Sequence, residues 1–170
     1  MADIISESGL SAGAIYGYYK GKEDLIQGAI SDLLGRRIAA ALDRKDGSAA
    51  RAPGDLVTEF VTAIKDEAGD PGILLQVWAQ AAVDASMQTF TGQVGAWLLE
   101  VFQAYLTRWY DQEYGFEHDD AAEAATLYAP LYVGIVQGYV VQSTIFSGFD
   151  REAYLAAASN IRPEPAHSGR

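Results

Sequence analysis

The stretch ADIISESGLSAGAIYGYYKGKEDL, residues 2–25, decides how the fold is read. Residues 2–8 and 12–19 have the apolar spacing of two short helices, and Gly9 breaks the pattern between them. Ser11 stands at the N-cap of the second piece, with Leu10 and Ile15 flanking it at the spacing of a hydrophobic staple. The pair has the length and turn chemistry of a helix-turn-helix, in which the second helix enters the DNA major groove.

Outward from this stretch every periodic segment reads as helix. Leu25, Ile26, Ala29, Ile30, Leu33 and Leu34 mark an amphipathic helix running to about Asp43, with Asp32 and Arg36 placed for an i,i+4 pair. Turn formers and small residues from Asp46 through Pro53 and Gly54 then interrupt the periodicity and mark a domain boundary. Val57, Phe60, Val61, Ile64 and Ala68 define the next helix, ended by Gly69. Asp70 caps a following one that has Pro71 at its first position and Leu74, Val77, Trp78 and Ala81 on one face. Val94, Trp97, Leu98, Val101, Phe102, Tyr105 and Trp109 form the stripe of a longer helix that stops near Gly115. Asp120 and Glu123 have capping-box spacing ahead of an uncharged helix, in which Pro130 predicts a kink. Phe149 and Tyr154 staple the start of a last helix capped by Asp150, and the tail beyond Ile161 reads as frayed. The expected fold is all-α, with about eight or nine helices and no strand.

The chain has 170 residues, 49% of them hydrophobic, so it is long enough to bury a substantial core. Its net charge of -11 repels nucleic acid and anionic membranes overall, so any surface for a polyanion must be local. The charge is unevenly spread: residues 1–51 hold seven bases and seven acids, whereas residues 52–170 hold five bases and sixteen acids. The two parts face different partners. The absence of cysteine excludes disulfide scaffolds, thiolate metal sites and thiol catalysis, and makes a reducing cytoplasm the natural compartment. The acidic opening MADIISESGL lacks the basic and apolar regions of a secretory signal. Residues 124–149 carry no charged side chain, but Pro130, Gly134, Gln137, Gly138, Gln142, Ser143 and Thr144 read as a helix buried in protein rather than in a membrane.

The residues Asp3, Ile4, Gly9, Leu10, Ser11, Gly13, Ile15, Tyr16, Tyr18, Tyr19, Lys22, Glu23 and Leu25 fall in register, without a gap, on a known signature. This string closely resembles the helix-turn-helix of the TetR family of one-component transcriptional regulators. The resemblance implies that residues 1–45 are a helix-turn-helix domain with its connecting helix. Residues 54–161 would then be a ligand-binding and dimerisation domain, and 162–170 a flexible tail. It further implies that operator DNA is bound by a homodimer, and that a small molecule in the second domain changes the spacing of the two reading heads. Counted against the family's three-helix domain, the chain opens at the second helix, and Ile5 and Ser8 stand where the family usually carries alanine. On that count the 170-residue form is expected to bind duplex DNA weakly or not at all.

On the recognition helix, Ser11, Tyr16, Tyr18, Lys20 and Lys22 have the hydroxyls and charges to hold phosphates. Sequence reading falls to Ala12, Gly13, Ala14 and Gly17, none of which makes the bidentate contacts of Arg or Asn, so thymine methyls and DNA shape must contribute more. Ile15 and Tyr19 read as core.

In the second domain Phe60, Trp78, Trp97, Phe102, Tyr105 and Trp109 supply more aromatic surface than tight packing requires, as small-molecule cavities do. An apolar or aromatic effector is expected; the scarcity of bases on the helices from residue 55 to 110, Lys65 and Arg108 only, disfavours a highly anionic one. The same rings, taken singly, also read as core filling. In the uncharged helix Leu131, Gly134, Ile135 and Gly138, with Tyr154 from the last helix, are the expected dimer interface, the two glycines permitting close approach. No catalytic residue, cofactor or metal is expected, and the chain does not read as an enzyme. His118 lies among Asp119, Asp120 and Glu123, acids that capping and the helix dipole explain, and His167 lies in the tail. The alternative to a DNA-binding sensor is a dimeric small-molecule-binding or interaction module that does not bind DNA.

Overall fold

The computed structural model describes residues 51–68 and 70–163, together with Gly13, Gly17 and Tyr18. Five helices are present among the described residues of the body, and no strand. They are α1 (Pro53–Ala68), α2 (Gly72–Ala81), α3 (Ala85–Tyr114), α4 (His118–Ile145) and α5 (Arg151–Ser159). The expected helices at 2–8 and from Leu25 to Asp43, including the Asp32–Arg36 pair, lie outside the described residues.

Local chemistry explains where each element starts and stops. Pro53 opens α1, because proline has its φ preset for a first helical position and lacks only an N–H that would be unpaired there. The run of turn formers and small residues read from Asp46 through Gly54 therefore gives way to helix at Pro53. Asp70 accepts the Gly72 N–H at 2.8 Å, the expected capping bond, although the regular helix begins one residue beyond Pro71. Asp84 caps α3 by accepting the Met87 N–H at 2.9 Å, and Gly115 ends it with φ 66°, a left-handed turn that glycine adopts without strain.

That turn reverses the chain so tightly that α4 starts at His118, earlier than the acids suggested. Glu117 occupies the N-cap without a side-chain bond, and Asp119 and Asp120 lie in the first turn. The capping box expected of Asp120 and Glu123 does not form, and the two first-turn acids complement the helix dipole instead. α4 continues past Pro130, which lacks the N–H that would reach the Thr126 carbonyl. At α5 the sequence reading holds: Asp150 accepts the Ala153 N–H at 2.9 Å, and the Phe149 and Tyr154 rings sit 5.3 Å apart as a staple.

α3 and α4 form the largest helix–helix contact, with α1 across them and α5 against α1. Ala121, Ala125 and Ala129, all fully buried, recur every four residues on α4 and let it approach α3 closely. Val101, Phe102, Leu106, Trp109 and Tyr110 face them from α3, and Leu56, Val57 and Phe60 close the core from α1. Where α1 meets α5, Gly54 lies against the Ala158 backbone so closely that an added Cβ would fall on the carbonyl oxygen.

This contact gives a first prediction. Gly54→Ala gains helix propensity but must push α1 off α5, and the overlap outweighs the gain. A net loss of about 1–3 kcal/mol is expected in chemical denaturation. A variant as stable as the parent would show that the two helices separate at little cost.

Candidate functional site

The aromatic residues singled out between residues 60 and 109 divide into two groups. Phe60 and Phe102 are fully closed in, their rings stacked at 5.2 Å, and Phe102 stacks in turn on Tyr132 of α4 at 5.8 Å. The result is a column of three rings joining α1, α3 and α4. Trp109 is also buried, but it packs on Tyr110 at 5.1 Å and edge-on to Tyr114 at 5.4 Å. Trp78, Trp97 and Tyr105 remain partly exposed. None of the residues of α2 is fully buried, despite the run Ile73, Leu74, Leu75, Val77 and Trp78. Residues 71–99 carry one charged side chain, Asp84, so α2 and the first half of α3 form an uncharged, half-covered wall that contains Trp78 and Trp97.

Four tyrosines each place a ring in or against the core and a hydroxyl on a backbone carbonyl. Tyr132 donates to Ile161 at 3.2 Å and Tyr110 to Pro163 at 3.1 Å, so the chain is held two residues past Ile161, where fraying was expected. Tyr154 donates to Ile135 at 2.8 Å and Tyr105 to Arg51 at 3.0 Å. Among the described residues no buried side-chain polar atom lacks a partner. Burial raises all four hydroxyl pKa values above the ordinary phenol value. For Tyr105 burial, then the carboxylates of Glu59 and Asp55, outweigh the opposing Arg51 and Arg108 and push the hydroxyl up to about 12.

The expected interface residues occupy two environments. Leu131 is 51% exposed, and Gly134 is exposed with nothing near the position of a Cβ. Leu127 and Ile145 extend the same line at helical spacing and are 68% and 60% exposed. Gly138 and Tyr154, in contrast, meet each other within one chain: the Tyr154 hydroxyl lies 2.8 Å from where a Gly138 Cβ would sit, on its way to the Ile135 carbonyl. Gly138 thus admits α5 of the same chain, whereas Gly134 faces outward. By length and composition alone α4 could cross a membrane, but one side of it is bound into the core through Ala121, Ala125, Tyr132 and Val136.

In the amino-terminal segment Gly13, Gly17 and Tyr18 are helical and exposed, with Tyr18 86% exposed. The first two lie four apart and share a helix face. Ser11, Ala12, Ala14, Tyr16, Lys20 and Lys22 lie outside the described residues. No group of three or more potential metal ligands comes together among the described residues, so His118 and its acidic neighbours do not form one.

Residues 1–29 match the family described as bacterial regulatory proteins, tetR family. That segment is similar to the amino-terminal part of TetR-type transcriptional regulators, and the match does not extend beyond residue 29. No curated protein and no solved structure matches the chain.

Sequence reasoning missed Tyr132 and Tyr110 as structural pins. A tyrosine within an apolar helix looks the same whether its hydroxyl meets water or a distant carbonyl, so neither carried a signal. The lone charge between residues 71 and 99 was a signal for the uncharged wall.

The raised phenol pKa values predict a pH dependence. A phenol that ionises less readily when folded stabilises the fold fully below its unfolded value of 10, and that stabilisation is lost as the pH rises through the folded value, about 12 for Tyr105. Urea unfolding at stepped alkaline pH should show stability falling across this window, less steeply in Tyr105→Phe. Stability that stays level from pH 10 to 12 would contradict the shift.

Proposed function

We propose that the protein is a ligand-responsive transcriptional regulator of the cytoplasm that binds operator DNA as a homodimer. The observation that carries this reading is the tetR-family match over residues 1–29, joined to a helical body of separate charge character. Gly13 and Gly17 share a face that meets bases closely, with Tyr18 beside it and Lys20 and Lys22 following on phosphates. Two subunits contribute Lys20 and Lys22 twice, neutralising about four phosphates, which corresponds to a log–log salt slope of about -3.6.

The effector in this reading is an apolar or aromatic molecule of little negative charge. It binds beside the uncharged wall of α2 and α3, using Trp78, Trp97 and Tyr105 at the half-covered edge of the column formed by Phe60 and Phe102, with Trp109 behind it. The partner subunit covers the Leu127, Leu131, Gly134 and Ile145 line of α4, because an apolar line of this length does not face water in a stable monomer.

Two measurements test the reading. In gel shifts at stated salt, a form extended upstream by an in-frame amphipathic helix binds DNA from upstream of the coding sequence selectively. Lys22→Ala weakens binding to all sequences alike, whereas changes at Ala12 or Ala14 alter which sequences are preferred. Absence of selective binding would favour a ligand-binding module without an operator. In light scattering the protein is a dimer, and Gly134→Arg, whose Cβ meets nothing inside the subunit, converts it to a folded monomer. Gly138→Arg is the poorer probe, because it also displaces Tyr154. A monomeric parent at micromolar concentration would exclude the α4 interface.

A further inference from the structure

Residues 1–50 join the body at Arg51, and the body holds that residue in two ways. The Tyr105 hydroxyl, from the middle of α3, donates to the Arg51 carbonyl at 3.0 Å. The Arg51 guanidinium donates to Glu59 Oε1 of α1 at 3.3 Å. Immediately afterwards the Asp55 N–H donates to the Ala52 carbonyl at 2.8 Å and starts the first turn of α1. Arg51 thus stands two residues before the start of a fixed helix, and a side chain from a different helix grips its backbone.

Tyr105 is suited to link the two parts of the chain. It lies one helical turn from Phe102, the middle ring of the aromatic column, and packs against the core while remaining partly exposed. A phenol is protonated, and therefore a donor, at neutral pH, and burial, then Glu59 and Asp55, shift its ionisation further into the alkaline range. A single partly exposed hydrogen bond is worth little net free energy, as a switch requires: one competing acceptor is enough to break it.

We propose that the bond from Tyr105 to Arg51 is a latch by which the body holds the chain at Arg51, where the amino-terminal segment joins it, and that an effector whose acceptor oxygen takes the Tyr105 hydroxyl opens it. This rests on the regulator reading above and assigns the route by which the effector acts. It also narrows the chemistry of the effector. The carboxylates of Glu59 and Asp55 oppose an anionic acceptor and the guanidiniums of Arg51 and Arg108 offset them only in part, so the acceptor is a neutral oxygen, such as a ketone, ester or ether, on an apolar or aromatic body.

The Arg51–Ala52 peptide bond is a trypsin site whose scissile carbonyl is the one that Tyr105 grips, so cleavage there reports on the latch directly. In the full chain, Tyr105→Phe should speed appearance of the fragment beginning at Ala52 by roughly two- to tenfold, the factor that one net hydrogen bond represents. Tyr110→Phe, which removes the equivalent bond to Pro163 at a different place, should leave that rate unchanged. Equal rates in Tyr105→Phe and the parent, or the same acceleration in Tyr110→Phe, would overturn the latch. The regulatory half is read in gel shifts with the upstream DNA, where Tyr105→Phe should change Kd by a comparable factor and leave the salt slope unaltered. An unchanged Kd in a protein that binds this DNA would overturn the regulatory role. If no form binds the DNA while Tyr105→Phe is cut faster, the regulator reading fails and the mechanical latch stands.

Discussion

The stacked column of Phe60, Phe102 and Tyr132 is the contact on which the body depends. Each ring comes from a different helix, and the near-parallel planes, 21° and 16° apart, set the spacing of α1, α3 and α4 together. Such pairs contribute about 0.5–1.5 kcal/mol each beyond the area they bury. Their geometric effect is larger, because a ring cannot slide without unseating the next. The alanines at 121, 125 and 129 depend on this arrangement, since small residues permit close approach but do not choose its register.

Tyrosine then extends the order of the core to places the core does not reach. Tyr105 holds the chain before α1, Tyr132 and Tyr110 hold it after α5, and Tyr154 ties α5 to α4. Each hydroxyl satisfies a carbonyl outside regular pairing or at a helix surface, so the ring supplies burial and the tip supplies position. One such phenol stands beside the column and another forms its end, so the same packed rings carry the anchors before α1 and after α5.

Much of this organisation was legible in the residues. The all-α class, the caps at Asp70 and Asp150, the stop at Gly115 and the Phe149–Tyr154 staple all follow from interactions within five residues along the chain, which periodicity and turn chemistry report directly. The start of α4 was misplaced because two acids at capping-box spacing also suit a first turn, and only the tight reversal at Gly115 decides between these roles. Among the candidate site residues, the aromatic composition was visible, but the sorting of Phe60, Phe102 and Trp109 into the interior and of Trp78, Trp97 and Tyr105 to its edge was not. Burial depends on which helices meet, and helical spacing alone does not specify that.

The two glycines of α4 mark the division most clearly. Helical spacing alone puts Gly134 and Gly138 on adjoining turns of an uncharged helix, where either permits close approach. It takes the packed fold to send the Tyr154 hydroxyl of the same chain to Gly138 and to leave Gly134 open. Local chemistry sets the shape of one helix surface, because backbone geometry repeats every few residues. What occupies that surface is a long-range matter, set by where α5 returns after the turn at Gly148 and by the single direction in which its tyrosine can reach a carbonyl.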